Sequence, residues 1–105
     1  MKFSILISSF NKGKYIEKCI TSCLQQKEKD CEIIVFDNYS TDNTFKILKK
    51  FGRKIRLFKK KRLSNSPALN QIDLLKSGFQ KSRGEYVCLL DADDYFRVNK
   101  LFMIK

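Results

Sequence analysis

Four short apolar runs, at residues 2–7, 32–36, 55–58 and 85–90, constrain this chain more than any other feature of it. They carry little of the polar alternation expected of a strand with one wet face, so they read as strands buried on both sides. The stretches between them keep a helical period instead. Tyr15, Ile16, Cys19, Ile20, Cys23 and Leu24 fall on one face and predict a helix from Tyr15 to about Gln26. Ser40-Thr41-Asp42-Asn43 offers a helix N-cap with an acid in the first turn, and Phe45, Leu48 and Phe51 carry a short helix that Gly52 stops. Ser66-Pro67 opens a third helix with proline at its first position. Leu69, Ile72, Leu75 and Phe79 give it one stripe, and Gly78 or Gly84 marks its exit. Residues 97–105 read as the start of a further helix. The order β-α-β-α-β-α-β, closed by right-handed crossovers, predicts an α/β fold: a three-layer, doubly wound, mostly parallel four-stranded sheet.

A length of 105 residues allows one domain. No stretch approaches the roughly 18 apolar residues of a membrane helix. The apolar start is too short for a signal sequence and is followed by polar Ser8-Ser9 and Asn11, so the expected compartment is the cytoplasm. Cys19, Cys23, Cys31 and Cys88 include no Cys-x-x-Cys pair, and there is no histidine, which favours reduced thiols acting as small hydrophobes over a metal site. The net charge of +11 favours anionic partners without choosing among them. Its one dense run is Lys59-Lys60-Lys61-Arg62, which reads equally as a solvated loop or as a contact for nucleic acid or an anionic membrane. No aromatic residue is interleaved with it, which argues against stacking on single strands.

Ligands of open α/β sheets bind beyond the carboxyl ends of the strands, where the strand order reverses. Three of those ends are polar here: Ser8-Ser9, Asp37-Asn38 and Asp91-Ala92-Asp93-Asp94. Nothing about folding requires that coincidence. Strand geometry sends Asp91 and Asp93 to one side, and neighbouring carboxylates call for a hard cation, Mg²⁺ or Mn²⁺. Taken alone, a hydrated acidic turn capping a helix near Tyr95 is the plainer reading. Asp37-Asn38 reads equally as a turn or as a hydrogen-bonding pair for a base or ribose. No Gly-x-Gly-x-x-Gly follows the first strand, which disfavours a dinucleotide fold.

Taken together, the pieces resemble the family 2 glycosyltransferases, inverting enzymes of the GT-A fold. Ser4-Ile5-Leu6-Ile7-Ser8-Ser9-Phe10-Asn11 is similar to the family's opening strand and S-x-Y-N turn, and Ser22-Cys23-Leu24-Gln25-Gln26 to its S-x-L-x-Q helix end. The run from Glu32 through Asp37-Asn38-Tyr39-Ser40-Thr41-Asp42-Asn43-Thr44 is similar to E-I-I-V-V-D-D-G-S-T-D-N-T. Gly84-Glu85-Tyr86-Val87 through Asp91-Ala92-Asp93-Asp94 matches G-E-Y-I-x-x-L-D-A-D-D. Four motifs in order favour the metal site over the hydrated cap.

The resemblance implies that Ser8 lines a nucleotide pocket and that Asp37 and Asn38 bind base and ribose. It also implies that Asp91 approaches the ribose or sugar, and that Asp93, with Asp91, holds Mg²⁺ or Mn²⁺ on the diphosphate. The implied partners are a nucleotide-diphosphate sugar and an acceptor glycan or lipid-linked sugar, with peripheral contact at the inner membrane face and a homodimer as further expectations. Asn38 stands where the family often has a second acid and Tyr39 where it has glycine. Asn38 can still accept from a base N–H, which keeps a UDP- or TDP-sugar open. The A-R-N-x-G helix motif appears as Leu74-Leu75-Lys76-Ser77-Gly78, with Lys76 as a substitute charge or a solvated lysine. No general base is found, and the family's acceptor site follows the metal motif. Residues 1–105 are therefore expected to be the nucleotide-sugar-binding half, truncated before the acceptor half and inactive alone. The competing readings are a basic module for nucleic acid or anionic membrane, and a remnant whose role is association.

Overall fold

The computed structural model describes residues 3–25, 30–91 and 103–104. Its elements are β1 (Phe3–Ser9), α1 (Ile16–Leu24), β2 (Cys31–Asp37), α2 (Thr44–Lys49), β3 (Arg56–Lys59), α3 (Pro67–Lys81), β4 (Tyr86–Asp91) and β5 (Met103–Ile104), with a single 3-10 turn at Gly52–Lys54 after α2. The sheet order is β3-β2-β1-β4-β5. β1 pairs in parallel with β2 and β4, and β2 with β3. The chain winds outward from β1 to β3, then crosses back to lay β4 on the other side of β1. The expected doubly wound sheet is therefore present, with its switch point between β1 and β4.

Burial explains the missing alternation. Ile5 and Ile7 of β1 pack with Ile33 and Val35 of β2 against Ile16, Cys19, Ile20 and Cys23 of α1 and Leu48 of α2. The intervening Leu6, Ile34, Phe36 and Val87 pack on the opposite face with Leu74 and Phe79 of α3. Each central strand thus needs apolar residues at odd and even positions alike. None of the four cysteines forms a disulfide, and Cys19, Cys23 and Cys88 are buried. The Cys23 thiol is pushed far up by its hydrogen bond with Cys19 and then by burial, which keeps it protonated.

Three expectations change. In α3, Leu69 and Ile72 are 50% and 62% exposed, so the predicted stripe is not the packing face at its amino end. Gly78 does not end the helix, which runs on to Lys81. A Cβ there would enter the Leu6 side chain, so Gly78 is the close-approach point of α3 on β1. Lastly, Met103 and Ile104 form a strand antiparallel to β4 at Val87 and Tyr86, not part of a helix; residues 97–102 of that expected helix lie outside the described residues. Their strand pairs with the flank of β4 that faces away from β1.

At the amino-terminal edge, opposite the switch point, a buried polar cluster ties the strands together. Glu32 Oε2 accepts from Ser4 Oγ at 2.7 Å and from the Arg83 N–H at 2.6 Å, while Oε1 accepts from Arg56 Nη1 at 3.0 Å. Ser4 Oγ in turn accepts from Gly84 N at 2.9 Å. Burial pushes the Glu32 carboxyl up, but Ser4, the Arg83 N–H and Arg56 together outweigh it and hold it below the usual carboxylate value.

Candidate functional site at the sheet's carboxyl edge

The ladder sets the three polar strand ends side by side, with Ser9 opposite Asp37 and Ser8 opposite Asp91. The pleat then separates neighbours. Ser8, Asn38 and Lys60 continue the side of Leu6, Phe36 and Phe58, under α3, and all three line a cleft of about 490 Å³. Ser9 and Asp37 fall on the other side. Asp37 is fully buried, with Oδ1 accepting from Ser9 Oγ at 3.2 Å and Oδ2 from Ser40 N at 3.0 Å, and Ser40 Oγ also donates to it. Of the adjacent pair Asp37-Asn38, then, one residue shapes the strand end and the other faces the cleft.

Asn38 is held from both sides. Its Oδ1 accepts from Ser8 Oγ at 3.1 Å and its Nδ2 donates to Lys60 O at 2.8 Å. One acceptor lone pair and one amide N–H remain for a ligand. The next residue, Tyr39, has φ of +55°, a left-handed conformation that disfavours a Cβ. This accounts physically for the glycine of the family pattern. Lys59 Nζ lies 5.3 Å from the Tyr39 ring centroid and 4.4 Å from that of Phe45.

The loop after β1 is locked to the segment before α2. Asn11 Oδ1 accepts from Thr41 N at 2.7 Å, and Asp42 Oδ2 accepts from Gly13 N at 3.2 Å. Asp42 Oδ1 accepts from Thr44 N at 2.9 Å, but the N-cap is Asn43 and the first turn of α2 holds no acid, so the acid expected in that turn stands one residue ahead of the cap. Its carboxyl is held below the ordinary value by the Thr44 hydroxyl first and then by the Thr44 N–H. Asn11 takes the left-handed conformation, φ +52°, that asparagine tolerates well.

The α3 wall of the cleft brings in Asn70 and Asp73, which stand in no sequence motif. Asn70, Asp73 and Leu74 of α3 line the cleft, as do Phe10 and Leu63. Lys60 Nζ reaches across to Asp73 Oδ2 at 2.9 Å. Lys61 and Arg62 also line the cleft, and Arg62 lies over the Phe10 ring at 5.5 Å. The basic run had signalled itself by charge, but Asp73 carried no signal beyond a helical period. Lys76 is exposed and is not among the cleft-lining residues.

Asp91 occupies the last position of β4, level with Ser8 at the switch point. Asp93 and Asp94 lie outside the described residues. Among the described residues no three His, Cys, Asp or Glu side chains group into a metal site. The expected pair of oxygen donors suits Mg²⁺ or Mn²⁺ chemically, and the placement of Asp91 beside the cleft is compatible with that use. No helix among the described residues is long and apolar enough to cross a membrane.

Known proteins share this arrangement. The chain is 34% identical over 104 residues to the poly(ribitol-phosphate) beta-N-acetylglucosaminyltransferase TarS of Staphylococcus aureus, covering 95% of this chain and 17% of TarS. It is 33% identical over 105 residues to an uncharacterized glycosyltransferase of Nostoc sp., covering 96% of this chain and 31% of that one. The crystal structure of S. aureus TarS in complex with UDP-GlcNAc superposes with a TM-score of 0.70 at 33% identity, over 90% of this chain and 27% of that one. The mannosyltransferase PcManGT of Pyrobaculum calidifontis, solved with GDP-Man and Mn²⁺, shares the fold with a TM-score of 0.71 at 19% identity, over 92% of this chain and 29% of that one. The chain thus spans less than a third of the length of each of these relatives. The sequence profile described as Glycosyl transferase family 2 matches residues 4–104, and with the GT-A-type sheet and its polar switch point this places the chain in glycosyl transferase family 2.

Proposed function

We propose that this chain binds a nucleotide-diphosphate sugar in the cleft beneath Ser8 and Asn38, as the donor-binding part of an inverting glycosyltransferase. The observation that carries the reading is the convergence of Ser8, Asn38 and the Asp91 position at the β1–β4 switch point, where open α/β sheets take ligands. A volume of about 490 Å³ is within the usual range for small-molecule sites.

The remaining lone pair and N–H of Asn38 can pair with the N3–H and a carbonyl oxygen of uracil or thymine, and uridine or thymidine is the base we favour. TarS has been crystallised with UDP-GlcNAc, which agrees with that choice. Ser8 orients the Asn38 amide. Asp37 contributes by fixing the strand end and the Ser40 turn that carry Asn38. Asp91 and Asp93 would hold Mg²⁺ or Mn²⁺, which would supply positive charge beside the diphosphate. The acceptor hydroxyl forms a bond to the anomeric carbon as the bond to the diphosphate oxygen breaks, with inversion. Its proton passes to a base that these 105 residues do not identify.

The test is a calorimetric titration of the folded protein with UDP-, TDP- and GDP-sugars, with and without Mn²⁺. A UDP- or TDP-sugar is expected to bind more tightly with the metal, and Asp93→Asn to remove that increment without unfolding the chain. Absence of metal-dependent binding for every nucleotide sugar overturns the proposal.

A further inference from the structure

The basic run is the sequence feature that donor binding through Ser8 and Asn38 leaves unused. Among the described residues that line the cleft, Lys12, Lys60, Lys61 and Arg62 are basic and Asp73 is acidic. The wall therefore carries a positive excess on the floor that Ser8 and Asn38 share. Lys60 and Arg62 are placed by contacts of their own, and Lys61 is an exposed member of the same lining. Lys60 N donates to Asp37 O at 3.0 Å and Lys60 O accepts from Asn38 at 2.8 Å, so the run leaves the sheet at a fixed point. Arg62 lies over the Phe10 ring at 5.5 Å, and both residues line the cleft. Lys60 is held across the cleft by Asp73, with the two side chains 27% and 23% exposed. A half-wet pair of this kind contributes little net stability, so an anion with more charge than one carboxylate can displace it.

From these contacts we infer that Lys60, Lys61 and Arg62 form a metal-independent clamp for the diphosphate of the donor, and that Asp73 is the resting counter-ion which the diphosphate displaces from Lys60. The inference rests on the cleft being the nucleotide site. A concave wall suits a small, multiply charged ligand. A flat bilayer does not reach a lysine that is tied to α3 across a cleft.

The experiment measures binding of UDP, uridine and inorganic pyrophosphate to the full chain in EDTA, across a salt series. Lys61→Gln/Arg62→Gln is expected to weaken UDP about tenfold and to flatten its salt dependence, leaving uridine unchanged. Asp73→Asn is expected to tighten UDP several-fold, and Lys60→Met to abolish that gain. Equal losses for UDP and uridine, or weaker UDP binding in Asp73→Asn, overturn the clamp while the nucleotide reading stands. Pyrophosphate binding that depends on the run, with UDP bound no more tightly than pyrophosphate and no uridine binding, removes the nucleotide reading and the donor clamp with it, and leaves a general anion site. Failure of all three ligands to bind removes both. Loss of binding to phosphatidylserine vesicles in the double variant, with UDP unaffected, assigns the run to membrane and overturns the clamp.

Discussion

Replacing Glu32 by glutamine tests whether the amino-terminal edge of the sheet is held by a charge or merely filled by a side chain. Glu32 is 8% exposed and its two oxygens serve three donors. Glutamine keeps the shape but has one oxygen. If that oxygen serves Ser4 and the Arg83 N–H, the amide NH₂ faces the Arg56 guanidinium; the reverse orientation sets NH₂ against the Arg83 N–H. The first is less costly, because Arg56 is 31% exposed and keeps its bond to Lys81 O at 2.6 Å. The loss is then one charge-assisted hydrogen bond plus the charge felt by the other two, about 1.5–3 kcal/mol. With a urea slope of roughly 1–3 kcal/mol/M, the unfolding midpoint should fall by about 1 M with no change of slope.

The pH dependence gives a second, independent readout. The Glu32 carboxyl is depressed in the folded state, so its stabilisation is complete above the unfolded value and is lost as pH falls through the folded one. The gap between the parent protein and Glu32→Gln should be constant near neutrality and shrink below about pH 4.5. A midpoint unchanged at pH 7, or a gap that persists undiminished into acid, would falsify the argument that the carboxylate charge holds this edge.

Other substitutions probe backbone and cleft. A Cβ on Gly84 would lie 2.7 Å from Phe3 C and from Ser4 N, backbone atoms that cannot step aside; Gly84→Ala should cost about 3 kcal/mol in urea unfolding. At Tyr39, where φ is +55°, glycine should be more stable than alanine by about 1 kcal/mol, and the reverse order would remove the strain argument. Asn38→Asp places a carboxylate oxygen against Lys60 O, at the 2.8 Å now spanned by an N–H, and should cost about 1–3 kcal/mol in thermal or urea unfolding. If Asn38→Asp proves as stable as the parent, the amide is not held as described.

The fold was legible because its signals are local. Unalternating runs such as residues 32–36 can be satisfied only between two helical layers, and the α1 period fixed which face of that helix turned inward. The last strand of the described residues was not legible, because Met103 and Ile104 are placed by pairing with β4 and not by a period of their own. The amino end of the α3 stripe misled for a similar reason: where a helix touches a sheet is set by the closest approach, here Gly78 over Leu6, and not by the longest row of apolar residues.

At the site, the polar strand ends are plain in the order of residues, and the family patterns there name Ser8, Asp37, Asn38, Asp91 and Asp93. Which way the adjacent Asp37 and Asn38 face depends on the folded sheet. The pleat turns Asp37 into the α1–α2 side, where Ser9 and Ser40 occupy it, and Asn38 toward the cleft, where Ser8 and Lys60 orient it. The same geometry carried the basic run onto the cleft wall and set Asp73 opposite Lys60, a residue 13 positions away in the chain. Period and composition report what a residue is suited to touch. Which group it meets is fixed by strand register and helix docking, and those are properties of the folded chain as a whole.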